Sequence, residues 1–224
     1  MKRRRILIIY VLFIFILFLT NFKTYNNIKY NIPIKKSFTL NKIIIVGDSR
    51  MELINKSSVV NIPNFVFIDA KGGAKIDWLK SIGIPVLNEN IKDNKYHYHI
   101  VFNLGVNDLN GFIDIDLRVK EYYKLYRNIY MMNQNKNISY YFLSVNPVDE
   151  NTIYNYWPSN IRTNSKIEYF NNKMIELDNQ NKFMTYCDSY NTLNFKLYDG
   201  LHFEEETNQI ILKYIIRSCV NLNF

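Results

Sequence analysis

A short unbroken apolar run, Lys42-Ile-Ile-Ile-Val46, stopped by Gly47, leaves this chain little choice of fold. β-Branched residues are stiff in a helix and pack well on a pleated surface. A strand with no polar alternation has no solvent face, so it belongs inside a parallel sheet covered on both sides. Residues 65–68, 99–104, 138–145 and 183–187 read as further strands. Helical patterns fall between or after them, at 74–81, 116–132, 165–180 and 204–219, the last with a stripe of Ile210, Ile211, Tyr214, Ile215 and Cys219. Strands alternating with helices predict a three-layer α/β/α sandwich around a central parallel sheet, with the functional site at the carboxyl ends of the strands. Residues 146–163, with Pro147, Trp157 and Pro158, are the longest stretch without a periodic pattern and are expected to be an irregular loop.

The N-terminus carries a different signal. Lys2, Arg3, Arg4 and Arg5 precede an almost wholly apolar run over residues 6–22. That run is at the short end of the roughly 17–25 residues that span a bilayer, and the basic cluster predicts a cytoplasmic N-terminus. It reads as an uncleaved anchor, or as a signal peptide, against which stands the lack of a small-x-small cleavage pattern near Phe18-Leu-Thr-Asn-Phe-Lys23. Three regions follow: an anchor or signal segment (1–22), a polar juxtamembrane spacer (23–40) and one globular domain (41–224) outside the membrane, secreted if the segment is cleaved. Half of the net charge of +8 sits in that basic head, and no other Lys/Arg stripe is interleaved with aromatics, so a nucleic-acid partner is not expected. Cys187 and Cys219 have no metal-site spacing and either pair or stay as two buried thiols.

Four polar motifs fall where the expected strands end: Gly47-Asp-Ser-Arg50, Lys71-Gly-Gly-Ala74, Gly105-Val-Asn-Asp108 and Asp199-Gly-Leu-His202. Together they have the parts of an acyl-transfer site. A serine hydroxyl is a weak nucleophile until a base takes its proton, and His202 is a candidate base for Ser49. An imidazole works best with a carboxylate holding its tautomer, and Asp199 is three residues away. The tetrahedral intermediate needs donors at its oxyanion; the Ser49 N–H, the N–H of Gly73 or Gly72, and the Asn107 amide are candidates. Each motif alone is weak, since Ser49 could merely start a helix, Asp199 and His202 could sit in a surface turn, and the glycines could serve only a tight turn. Their order and spacing make the joint signal far stronger.

In these four blocks the chain resembles the SGNH hydrolases, also called GDSL-like lipases and esterases, over the whole domain from Lys42 to the last helix. Asn103-Leu-Gly-Val-Asn-Asp-Leu109 and Ser144-Val-Asn-Pro-Val-Asp149 resemble a bacterial exported subgroup. The resemblance implies a flavodoxin-like α/β/α fold and ester hydrolysis without metal or cofactor. It implies Ser49 as nucleophile, Asp199 and His202 as its base pair, and Ser49, Gly73 (or Gly72) and Asn107 in the oxyanion hole. The chain departs from the family in having Arg50 after the serine and Ala74-Lys75 after the glycines. Arg50 is expected either to grip an anionic group of the substrate or to pair with an acid such as Glu52.

The remaining candidates have structural readings beside functional ones. His97 and His99 share a strand face, but no third ligand is suggested, so they are expected as exposed strand-edge residues rather than a metal site. Trp78 and Trp157 fit a carbohydrate platform or the core, and Trp157 is retained as a substrate-binding candidate. The expected function is a surface esterase that removes acetyl or other short acyl groups from a glycan. An O-acyltransferase acting on cell-wall polysaccharide or teichoic acid, and a non-catalytic surface binding protein, are the alternatives.

Overall fold

The computed structural model describes residues 40–134 and 136–222. The expected anchor, and the spacer up to residue 39, lie outside them; among the described residues no helix is long and apolar enough to cross a membrane. The described chain runs β1 (Leu40–Gly47), α1 (Ser49–Lys56), β2 (Val66–Ala70), α2 (Ile76–Trp78), a π-helical turn (Leu79–Gly83), α3 (Ile84–Asn90), β3 (Tyr96–Asn103) and α4 (Ile115–Met132). It continues with β4 (Ile138–Leu143), α5 (Glu150–Tyr156), α6 (Asn164–Asn181), β5 (Thr185–Cys187), α7 (Ser189–Thr192), α8 (Glu205–Tyr214) and a second π-helical turn (Ile215–Cys219).

The strands form one parallel sheet in the order β2-β1-β3-β4-β5. Ile43, Ile44, Ile45 and Val46 have no exposed surface, as a strand covered on both faces requires. Their side chains alternate between two cores. Ile44 and Val46 join Phe102, Tyr122, Tyr126, Phe142 and Phe170 on one face. Ile43 and Ile45 join Met51, Ile54, Phe203, Ile211 and Ile215 on the other. Burial of each such side chain contributes roughly 1.5–3 kcal/mol relative to exposure. Helices thus cover both faces, giving the expected three layers.

The sheet order positions the site. The chain goes from β1 to β2 on one side, then crosses to place β3 on the other side of β1, so the connections diverge at the carboxyl ends of β1 and β3. Such a switch point opens a crevice. Register sharpens this, because Gly47 lies opposite both Ala70 and Asn103. The three strands therefore end level, and the loops bearing Ser49, Gly72-Gly73 and Asn107 leave the sheet side by side.

Three expectations change. Residues 146–163 are not wholly irregular: Asp149 caps α5 by accepting from Asn151 and Thr152 backbone N–H groups. The histidines are not at a sheet edge, because β3 is the middle strand. His99 is only 5% exposed, its Nε2 lying 3.0 Å from Asn41 Oδ1 and its Nδ1 3.1 Å from the Tyr141 hydroxyl. His97 contacts Ser139 and stacks on His99, and among the described residues no group of His, Cys, Asp or Glu is arranged to hold a metal ion. Finally, Cys187 and Cys219 form a disulfide joining β5 to the turn after α8, across 32 residues of sequence. On the chain-entropy account, closing such a loop stabilises the fold by about 3–4 kcal/mol.

Candidate active site

Ser49 is the first residue of α1, directly beyond the bend that ends β1. Asp48 caps that helix, its carboxylate accepting from the Arg50 backbone N–H at 3.0 Å. The Ser49 Oγ lies 3.0 Å from His202 Nε2, and His202 Nδ1 lies 2.7 Å from Asp199 Oδ2. A carboxylate can only accept, so Nδ1 carries the proton and Nε2 is left to receive the one on Ser49. Asp199 is itself held: its other oxygen accepts from the Leu201 N–H at 2.9 Å and the His202 N–H at 2.6 Å. Burial would raise the Asp199 carboxyl, but the His202 backbone and ring contacts and the Leu201 N–H outweigh it and hold the group below its ordinary value. The carboxylate that orients the imidazole is therefore ionised at neutral pH.

The candidate donors belong to residues that line one cavity with Ser49. Neither the Ser49 N–H nor those of Gly72 and Gly73 donate to another protein group among the described residues. Gly73 has a left-handed backbone (φ 72°), the conformation that turns the peptide between β2 and α2. Asn107 follows β3 and is nearly buried, its Nδ2 donating to the Ala74 carbonyl at 3.1 Å. Its neighbour Asp108 does not line the cavity that holds Ser49; it accepts from the Tyr122 hydroxyl at 2.6 Å and faces Arg118 at 3.4 Å, which ties the loop to α4.

Ser49, Gly72, Gly73, Asn107, Trp157 and His202 line one cavity of about 370 Å³. Trp157 is 45% exposed, not part of the core, and its ring stands edge-on to the His202 ring at 6.4 Å. Tyr198, also exposed, stacks on that imidazole at 5.9 Å. Trp78 is half-buried against the core of the α4 face and does not reach the cavity. Beyond Tyr198 a larger groove of about 490 Å³, lined by Leu53, Lys56, Glu204 and Glu205, contains none of the motif residues.

Arg50 is not where a substrate-gripping residue would be. It is 1% exposed and does not line the cavity. Its guanidinium donates to three carbonyls, of Leu201 at 3.0 Å, Asn146 at 2.6 Å and Pro147 at 2.8 Å, and lies over the Phe203 ring. Nor does it pair with Glu52, which binds Lys56 at 2.7 Å. Burial lowers the guanidinium to about 10, partly offset by Asp48, so the group stays charged at neutral pH and ties the Asp199–His202 loop to the end of β4. The residue that does line the cavity is Arg162, in the stretch before α6. It went unnoticed in the sequence because no motif surrounds it.

A Ser-His-Asp chain at the switch point of a parallel α/β/α sandwich is an arrangement able to activate a serine hydroxyl. Solved structures specify the fold further. A Streptococcus pneumoniae protein provisionally assigned as a platelet activating factor is 18% identical, covering 81% of this chain and 85% of that one, with a TM-score of 0.64. A GDSL-like lipase from Bacteroides thetaiotaomicron is 18% identical (87% and 95% covered, TM-score 0.59). Est24, a carbohydrate acetylesterase from Sinorhizobium meliloti, is 11% identical (79% and 98% covered, TM-score 0.56). No family model and no curated protein matches the sequence. The fold is that of the SGNH, or GDSL-like, hydrolases.

Proposed function

We propose that this chain is a serine esterase that works through an acyl-enzyme on Ser49. The observation that carries the reading is the continuous Asp199–His202–Ser49 hydrogen-bond chain opening onto a cavity lined by Gly72, Gly73 and Asn107. The Ser49 Oγ attacks the ester carbonyl carbon while its proton passes to His202 Nε2. The carbonyl oxygen becomes an oxyanion facing the Ser49 and Gly73 N–H groups and the Asn107 amide. Collapse expels the alcohol, which takes the proton from His202. Water then attacks the acyl-Ser49 ester by the same route in reverse, releasing the acid. Trp157 and Tyr198, both exposed and both in ring contact with His202, suit the apolar face of a sugar ring, and a carbohydrate acetylesterase is among the proteins of this fold. The substrate class is therefore a glycan carrying acetyl or similarly short acyl esters.

The domain acts outside the cell membrane. This is supported by the basic head and apolar run at residues 2–22, and by a disulfide that suits an oxidising compartment. Protease added to intact cells is expected to digest the domain; full protection would exclude this location. For the chemistry, the full chain is expected to hydrolyse p-nitrophenyl acetate and to be labelled by a fluorophosphonate at Ser49. Ser49→Ala should lower turnover by at least about 10³-fold while keeping the circular dichroism of the parent. Turnover that survives the substitution would refute the assignment.

A further inference from the structure

Arg162 reaches the cavity with all three of its nitrogens engaged. Nε donates to the Val106 carbonyl at 2.7 Å, Nη1 to Asn160 Oδ1 at 2.7 Å and Nη2 to Asn107 Oδ1 at 2.9 Å. A guanidinium has no acceptor, so the Asn107 atom facing it must be the oxygen. On the other side the Ala74 carbonyl has no donor, so the atom facing it must be the nitrogen. The two neighbours demand the same orientation, which removes the usual ambiguity of an amide. One Nδ2 hydrogen is spent on Ala74, leaving the second for the cavity. Asn160 is turned the same way: Arg162 occupies its oxygen, and its Nδ2, in a side chain that lines the cavity and is only 8% exposed, has no partner among the described residues.

We propose that Arg162 is a positioning residue that locks the Asn107 amide with its nitrogen toward Ser49, so that Asn107 stands ready to donate to the developing oxyanion. Without the guanidinium only the Ala74 contact would hold the amide, and a half-turn that gave up that one bond would exchange donor for acceptor and present a carbonyl oxygen to a negative charge. A preorganised donor has its effect in the transition state, so its loss falls on kcat rather than KM.

The inference rests on the acyl-enzyme reading, and the test separates the two. The full chain and its Ser49→Ala, Asn107→Ala, Arg162→Ala, Arg162→Lys and Arg162→Ala/Asn107→Ala variants would be assayed on p-nitrophenyl acetate, with thermal unfolding of each. Asn107→Ala is expected to lower kcat by about 10²–10³-fold, as loss of one oxyanion donor does. Arg162→Ala should lower kcat by about 10–100-fold with KM within about threefold, and the double variant should be no slower than Asn107→Ala alone, because Arg162 acts only through that amide. Additive losses would overturn the proposal, as would a tenfold rise in KM at unchanged kcat, which would make Arg162 a direct substrate contact. If Arg162→Ala shows no cooperative unfolding, Arg162→Lys decides. One ammonium cannot hold both amides and the Val106 carbonyl in that fork, so kcat should still fall about tenfold, and a parental kcat would refute the inference. An inactive Ser49→Ala beside an Arg162→Ala of parental kcat sinks this inference alone; an active Ser49→Ala sinks the underlying reading.

Discussion

A guanidinium shut away from solvent needs acceptors around it, and each nitrogen of Arg50 finds one among three carbonyls from two distant segments. Arg50→Leu would keep the apolar contact with Phe203 and strand those three acceptors. Unfolding in urea is expected to report a loss of about 3–5 kcal/mol, and a loss under 1 kcal/mol would contradict the role. His99 makes a second prediction. Burial, with His97 adding to it, lowers its imidazole to about 4 from the ordinary value near 6.5. A depressed pKa means that the folded state gives up its proton first. The stability contribution is therefore complete above pH ~6.5 and is lost as the pH falls toward 4. Between pH 7.5 and 4.5 the parent should lose about 2–3 kcal/mol more than His99→Gln; equal losses would rule this out. Ser49, Asp199 and His202 could be picked from the sequence because each belongs to a short local motif. The carbonyl partners of Arg50 and the place of Arg162 were not legible there for one reason: their partners lie far off in the chain, Asn146 being 96 positions from Arg50 and Asn107 55 from Arg162.

Among the elements, α5 braces the loop that carries Asp199 and His202. The Gly200 carbonyl accepts from the Asp149 N–H at 2.9 Å, and Gly200 has a left-handed backbone (φ 79°). A Cβ there would come within 2.2 Å of the Ile153 backbone nitrogen, and helix backbone cannot step aside as a flexible side chain can. Gly200→Ala therefore meets backbone strain of about 1–3 kcal/mol and a clash besides. A lower urea midpoint is expected, with esterase turnover down at least tenfold as the loop shifts; a parental midpoint and rate would exclude this packing account. The strands were all recognisable, because short runs of β-branched and aromatic residues leave little competing pattern. Helix α5 was not, because Pro147 and Pro158 bracket a stretch rich in Asn and Tyr with little amphipathic periodicity. Its capping signal, Asp149 followed by Thr152, was present but too short to outweigh the prolines.

For the whole molecule, strand order is not legible in local patterns, since β1 pairs with β3 across the entire excursion through α1, β2, α2 and α3; only the family resemblance, with its flavodoxin-like fold, implied it. The site depends on that order, which sets three loops level at the switch point. The resulting cavity, about 370 Å³, lies near the small end of ligand pockets and must hold both the acyl group and part of the alcohol. Turnover of p-nitrophenyl esters should fall at least tenfold in kcat/KM from acetate to dodecanoate; a preference for the long chain would contradict a short-acyl specificity. The Ser49–His202 contact joins residues 153 positions apart. A chain made from its N-terminus thus produces the nucleophile well before its proton acceptor. Every nascent or truncated form that stops short of His202 carries an unactivated serine, so turnover begins only when synthesis has passed that residue and the two ends of the domain have met. On the proposed chemistry, the onset of esterase activity would then serve as a clock for completed folding of the domain.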